Sequence, residues 1–85
     1  MTITILRFTA SWCQPCKALT AMLDEVQLNV PMRVIDIDKE EHLVKEYQVR
    51  SIPTLIQIQD GKVASRLVGA VTKAELEDWL ATTTS

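Results

Sequence analysis

The sequence predicts an α/β fold, in which a mixed sheet of four strands carries helices on both faces in the order β-α-β-α-β-β-α. Three observations lead to this prediction. A strand-like run, a helical stripe and a second strand-like run follow one another, and such a unit needs a right-handed parallel crossover. Asp60-Gly61 then separates two further strand-like runs and is a strong hairpin signal. Finally, Thr72 and Glu75 have the spacing of a capping box that opens a last helix.

The first half of the chain alternates between strand and helix patterns. Residues 2–9 form a β-rich apolar run that is typical of a buried central strand. The helix that follows is marked by four apolar residues at helical spacing, namely Leu19, Met22, Leu23 and Val26. Residues 32–38 alternate between apolar and polar side chains and predict the second strand. Residues 39–47 predict a short helix whose apolar side contains Leu43, Val44 and Tyr47.

The second half predicts a hairpin and a terminal helix. Thr54–Gln59 and Lys62–Val68 flank the Asp-Gly pair, so we expect them to pair as antiparallel strands at one edge of the sheet. The last helix opens at Thr72, with Val71 and Leu76 at the positions of a hydrophobic staple. Its buried stripe is predicted to consist of Leu76, Trp79 and Leu80.

Composition excludes several classes of protein. The chain has 85 residues, of which 47% are hydrophobic, so we expect one packed domain covering residues 1–85. Nine basic and eleven acidic residues give a net charge of −2, which argues against a nucleic-acid partner. No signal peptide and no apolar run of membrane-spanning length is recognisable, so we expect a cytoplasmic protein without a membrane partner. In such a reducing compartment, two closely spaced cysteines are more often catalytic or metal-binding than structural.

The two cysteines fall where the first strand meets the first helix, in Trp12-Cys13-Gln14-Pro15-Cys16-Lys17. The free N–H groups and the dipole at a helix N-terminus favour a thiolate, which is the nucleophile of disulfide exchange. We therefore expect Cys13, at an exposed tip, to attack a partner disulfide. Cys16, one turn inward on the same face, then releases the reduced partner. Pro15 suits the first helical turn, where its missing N–H costs nothing.

Other interpretations of these residues are weaker. A structural zinc site needs four ligands, whereas the chain offers two cysteines and the single His42. A structural disulfide across so short a loop would stabilise the fold by only about 2 kcal/mol. Asp36 and Asp38 could suggest a divalent metal site, but their alternation places them at a strand edge near basic residues. We expect no metal, and we expect His42 to be solvated on a charged helix.

Three motifs in sequence order make the chain resemble the thioredoxin family from about Ile3 to Leu80. They are Trp12-Cys13-x-Pro15-Cys16-Lys17, Ile52-Pro53-Thr54 and Val68-Gly69-Ala70. The resemblance implies that Pro53 is cis and lies against the cysteines, and that Ile52 offers its backbone to an extended substrate segment. It also implies that Gly69-Ala70 completes this groove and that Trp12 covers the edge of the site. Ordinary packing of Trp12 and a simple strand-to-helix turn at Gly69 remain the alternatives.

The resemblance further implies a disulfide reductase that needs no cofactor beyond its own Cys13–Cys16 disulfide. Such a protein, expected to be a monomer, receives electrons from a thioredoxin reductase and passes them to enzymes such as ribonucleotide reductase. One alternative is a glutaredoxin-like reductase fed by glutathione, against which Gln14 and the single cation Lys17 argue mildly. Another alternative is a redox-idle adaptor that only binds a partner protein, which two intact cysteines make less expected.

The chain departs from the family pattern in several places. It looks like the minimal form of the fold, without the additional strand and helix that precede it in longer members. Gln14 replaces the usual glycine between the cysteines, and Ala21 replaces a proline in the first helix. Arg7 occupies the position of a buried acid that shuttles a proton for the second cysteine, a role that arginine cannot take. We expect Arg7 to pair with Asp36 or Asp38. The alternative is that it stabilises the Cys16 thiolate.

Overall fold

A computed structural model describes residues 2–84 of the chain and contains the seven predicted elements in the predicted order. The elements are β1 (Ile3–Thr9), α1 (Gln14–Asp24), β2 (Met32–Asp36), α2 (Glu41–Glu46), β3 (Thr54–Gln59), β4 (Lys62–Val68) and α3 (Lys73–Thr84).

The four strands form one mixed sheet in the order β2-β1-β3-β4. Strands β1 and β2 are parallel and are connected through α1, whereas β3 runs antiparallel to both β1 and β4. The parallel crossover and the antiparallel edge that the sequence predicts are therefore both present. The arrangement makes β1 a central strand, and the loop after it carries the two cysteines.

Each face of the sheet has its own apolar core, because successive side chains of a strand point to opposite faces. Helices α1 and α3 cover one face, where the buried residues are Ile5, Leu19, Leu23, Leu55, Leu76 and Leu80. Helix α2 covers the other face, where Leu6, Phe8, Ile35 and Ile56 are buried against Leu43, Val44 and Tyr47. The prediction of helices on both faces is confirmed.

The β3–β4 hairpin has the bounds that the sequence predicts. Asp60 and Gly61 both have positive φ angles, of 52° and 83°, as the tight turns favoured between twisted antiparallel strands require. Glycine adopts such angles at no steric cost, which explains its position second in the turn. An irregularity between Gln57 and Ile58 shifts the register of the pair by one residue, as a β-bulge does.

Strand β2 and helix α2 are shorter than predicted, because a tight turn separates them. The backbone carbonyl of Asp36 accepts hydrogen bonds from the N–H groups of both Lys39 and Glu40, at 3.0 Å each. Residues 37–39 therefore belong to this turn rather than to the strand or the helix. Among the described residues no side chain caps the start of α2, where Glu40 is the N-cap.

The capping box at the start of α3 is confirmed. The Thr72 hydroxyl accepts a hydrogen bond from the N–H of Glu75 at 3.1 Å, and the Glu75 carboxylate accepts one from the N–H of Thr72 at 3.0 Å. These two bonds satisfy N–H groups that have no partner within the helix. Val71 and Leu76 both pack in the core beneath α1 and α3, as the staple predicts.

The capping box should make part of the stability depend on pH. Its hydrogen bonds lower the pKa of Glu75 in the folded state, so its stabilisation is present above the unfolded pKa and is lost as pH falls through the folded pKa. We expect Glu75→Ala to lower the denaturant midpoint at neutral pH, and to do so less at acidic pH as the carboxyl becomes protonated in both states. The control is Glu77→Ala, at an exposed position of the same helix. An equal fall in the denaturant midpoint at neutral and at acidic pH would contradict the assignment of this pH dependence to the capping box.

Candidate active site

The cysteines lie at the start of α1, where the sequence places them. Cys13 is the N-cap residue with an extended backbone, and its sulfur accepts a hydrogen bond from the N–H of Cys16 at 3.2 Å. Pro15 stands in the first turn of the helix. A disulfide joins Cys13 to Cys16, with 5.2 Å between their Cα atoms. Both sulfur atoms thus lie at the N-terminus of α1, and the helix dipole there favours the negatively charged thiolate.

Both cysteines are buried in this oxidised state, in contrast to the exposed tip expected for Cys13. Cys13 is 5% exposed and Cys16 is 2% exposed. The disulfide holds the two sulfur atoms together in a small apolar cluster with Ala10, against which Ile37 and Ile52 pack. The adjacent Gln14 and Pro15 are exposed, as is Lys17. A partner therefore reaches the disulfide over the surface of the loop rather than at a protruding side chain.

The Ile52-Pro53 peptide bond is cis, as the family resemblance implies. Pro53 is buried, and the preceding Ile52 packs against the cysteine cluster. Within residues 2–84, the backbone N–H and C=O of Ile52 take part in no hydrogen bond. An extended peptide laid beside Ile52 would find these groups available for strand-like pairing.

Gly69 follows the end of β4 and is hydrogen-bonded to the loop that contains the cis-proline Pro53. Its N–H donates a hydrogen bond to the carbonyl of Pro53 at 2.9 Å, and its φ angle is +85°. A Cβ atom at this position would meet nothing within 4 Å, so the backbone angle rather than space favours glycine. Ala70 follows as an exposed residue. The structure thus brings Gly69 to Pro53 and Ile52 to the cysteines.

Trp12 directly precedes Cys13 and is held by a hydrogen bond from its indole. Its indole is 62% exposed, and Nε1 donates a hydrogen bond to Oδ2 of Asp38 at 2.9 Å. The N–H of Asp38 in turn donates to Oδ1 of Asp36 at 2.9 Å. Asp38 is therefore a site residue that sequence reasoning assigned to a different role. No local pattern could have revealed the contact, since 26 residues separate its two partners.

The expected ion pair of Arg7 with Asp36 or Asp38 is wrong. In the described part of the chain Arg7 forms no ion pair with either aspartate. Its Nη1 instead donates to the hydroxyl of Thr20 on α1. Strand alternation explains this contact, because Arg7 shares the α1 side of β1 with Ile5. Burial lowers the pKa of Arg7, and the charge of Asp24 partly opposes that shift.

Neither a metal site nor a membrane-spanning helix is found in residues 2–84. No group of three or more His, Cys, Asp or Glu side chains there is arranged to hold a metal ion. No helix there has the length and apolar character needed to cross a bilayer. His42 is exposed on α2.

The arrangement supports a two-step exchange of disulfides. In the reduced protein, the Cys13 thiolate attacks a partner disulfide, forming a mixed disulfide and releasing the first partner sulfur as a thiolate. The Cys16 thiolate then attacks Cys13, which forms the Cys13–Cys16 bond and breaks the bond to the second partner sulfur. Two electrons pass from the cysteine pair to the partner, whose released thiolates take up protons from solvent.

Comparison with known proteins agrees with this chemistry. The family model described as Thioredoxin matches residues 1–82. A thioredoxin of Mycoplasmoides gallisepticum is 38% identical over 79 residues, covering 89% of this chain and 79% of the relative. A thioredoxin of Chlamydia trachomatis is 39% identical over 77 residues, covering 87% of this chain and 76% of the relative.

Solved structures show the same similarity in three dimensions. A mutant thioredoxin from Halobacterium salinarum superposes with a TM-score of 0.87 at 29% identity, covering 98% of this chain and 75% of that one. The oxidised form of mitochondrial thioredoxin 3 from Saccharomyces cerevisiae gives 0.83 at 26% identity, covering 94% and 77%. Proteins of this family need no cofactor beyond the redox-active disulfide. The chain is a thiol–disulfide oxidoreductase that reduces protein disulfides through Cys13 and Cys16, and it belongs to the thioredoxin family.

Proposed function

We propose that the protein carries electrons in the cytoplasm from a thioredoxin reductase to protein disulfides, with ribonucleotide reductase among its substrates. The observation that carries the proposal is the exposure of apolar side chains next to the cysteines and at the end of β4, together with the free backbone of Ile52. Trp12 is 62% and Val68 is 54% exposed, and the backbone of Ile52 is available for pairing. Such a surface suits a protein partner, because backbone pairing and apolar contact accept many sequences. A reducing compartment suits a dithiol that must be regenerated after every cycle.

A second candidate donor is glutathione, and one surface feature favours it. A groove of about 380 Å³ lies beside Thr54 and Val68, and both Arg50 and Arg66 line it. No acidic residue is among the residues lining this groove. Two guanidinium groups could bind the two carboxylates of glutathione. The groove is therefore the candidate binding site for glutathione under this second hypothesis.

The donor can be identified by following insulin reduction with two electron sources. We expect turnover with NADPH and a thioredoxin reductase to exceed turnover with glutathione, glutathione reductase and NADPH by about tenfold or more, because the apolar surface suits a protein donor. Arg66→Ala tests the groove, and Lys62→Ala on the same strand is the matched control outside it. Rapid turnover with glutathione that Arg66→Ala removes and Lys62→Ala retains would establish the second candidate instead.

A further inference from the structure

Arg7 is connected to the second cysteine by two consecutive hydrogen bonds. Its Nη1 donates to Oγ1 of Thr20, and that hydroxyl donates to the backbone carbonyl of Cys16 at 3.0 Å. A hydroxyl can accept one hydrogen bond while donating another, so both contacts are satisfied together. The contact joins the central strand to the helical turn that follows the disulfide. The disulfide exchange itself requires neither Arg7 nor Thr20 as a reacting group.

The surroundings of Arg7 indicate that its side chain is not there simply to stabilise the fold. Its Nε is buried, and no hydrogen-bond partner for it exists in residues 2–84. Burial also lowers the pKa of its guanidinium, which means that the fold disfavours the charge it holds there. Unsatisfied buried polar atoms and partly buried charges cost stability. We therefore look for a function of Arg7 in disulfide exchange that offsets this cost.

We propose that Arg7 is a positioning residue for Cys16, which through Thr20 fixes the turn that carries the second sulfur and supplies a nearby positive charge when that sulfur becomes a thiolate. The inference rests on the disulfide exchange described above and concerns its second step. In that step Cys16 gives up its proton and its sulfur attacks Cys13 in the mixed disulfide. The new Cys13–Cys16 bond replaces the bond to the partner, whose sulfur leaves with the electron pair.

The other charged groups on β2, on α1 and just before β3 are hydrogen-bonded or exposed. Asp36, at the end of β2, accepts a hydrogen bond from the Asp38 backbone, and Asp38, in the turn after it, accepts one from Trp12. Lys17 and Asp24 on α1 are exposed, and so is Arg50 before β3. Asp24 is close enough to raise the pKa of Arg7, so it opposes the positive charge. Arg7 is thus a partly buried cation on the strand beneath α1, linked to the backbone of the second cysteine.

The size of the effect follows from the chemistry of thiols. Removing a nearby cation should raise the pKa of Cys16 by about one pH unit, at the low end of the usual range for close charges. About tenfold less thiolate would then be present at neutral pH. A thiolate of higher pKa is more nucleophilic by about threefold, so the net slowing is about threefold. Well above the pKa, where both proteins are fully thiolate, the slowing should reverse and the variant should react about threefold faster than the parent, which a merely structural defect would not do.

The experiment separates the two steps with Ellman's reagent, which releases one coloured thiolate when Cys13 attacks and a second when Cys16 resolves the mixed disulfide. In Arg7→Gln we expect a first release like that of the parent and a second release about threefold slower at neutral pH. Arg7→Lys, which retains the charge, should restore most of the rate. Thr20→Val, which breaks the link but leaves the charge, should also slow the second release, but equally at every pH, because it removes the positioning and not the cation.

Three results would overturn the proposal. The first is a second release in Arg7→Gln with the rate and pH profile of the parent. The second is normal resolution in Thr20→Val. The third, from alkylation of Cys16 across pH in a Cys13→Ser background, is a Cys16 pKa that Arg7→Gln leaves unchanged. Thr20→Val tests the proposal even if Arg7 variants do not fold. Loss of the first release in the parent would instead contradict the exchange itself.

Discussion

Replacing Cys16 by serine should leave the protein joined to its substrates through mixed disulfides, because the first exchange needs only Cys13. Multiple-turnover reduction of insulin should fall by at least about a thousandfold, as expected when one member of a reacting unit is lost. Non-reducing electrophoresis of a cell extract treated with reduced Cys16→Ser protein should show covalent complexes that a reductant dissolves. Mass spectrometry of those complexes would identify the substrates and test for ribonucleotide reductase.

The matched control is Cys13→Ser, which retains the second cysteine and should form few complexes. Both variants remove one sulfur atom and the same disulfide, so their stability should fall by similar amounts. If Cys13→Ser were the variant that traps partners, the roles of the two cysteines would be reversed. A chain that acted only as an adaptor would show equal partner binding in both variants, and the bound partners would not require a reductant for release.

The assignment of Cys13 as the attacking residue depends on backbone position more than on exposure. The difference between 5% and 2% exposed is too small to distinguish the two thiols. Cys13, however, is the N-cap residue, whereas Cys16 lies inside the first turns and next to the Thr20 contact. Unpaired N–H groups act on the N-cap sulfur.

The sequence was most informative where a local residue pattern determines the geometry. The Asp60-Gly61 turn allows few backbone conformations, so the bounds of β3 and β4 follow from it. Thr72 and Glu75, three residues apart, each accept a hydrogen bond from the backbone N–H of the other, so the start of α3 was also predictable. The cysteine pair was located for a similar reason, because its spacing and its strand-to-helix position are both local features.

Contacts between distant segments were harder to predict. Arg7 has several acidic residues available in the sequence, and the observed partner is a neutral hydroxyl on α1. Its side of β1 could have been read from the alternation with Ile5, which would have pointed to α1 rather than to the aspartates. The partner of Trp12 could not have been derived, because Asp38 lies in a turn whose course depends on the carbonyl of Asp36. The burial of Cys13 likewise depends on Ile37 and Ile52 from two other segments.

The largest loss of stability should come from Phe8→Ala. Phe8 is fully buried on the α2 side of β1, in a cluster with Leu6, Ile35 and Ile56, and its ring lies edge-on to that of Tyr47 with centroids 6.2 Å apart. Removing it should cost about 3–5 kcal/mol, because the cavity cannot close between a central strand and a helix. That is a large part of the roughly 5–15 kcal/mol that holds a small domain together. In thermal unfolding the midpoint should drop by roughly 15 °C or more.

The same variant separates stability from chemistry. The cysteines belong to a separate cluster, and within residues 2–84 the partly buried Ile37 and Ile52 pack against both this cluster and that of Phe8. At a temperature where Phe8→Ala is still folded, the first exchange of Cys13 should therefore proceed within about twofold of the parent rate, since distant sites act almost independently. Val63→Ala, at an exposed position on β4, is the control and should change the midpoint little. A much slower exchange in the folded variant would mean that the α2 core positions the cis-proline loop, and that the two apolar clusters act as one unit.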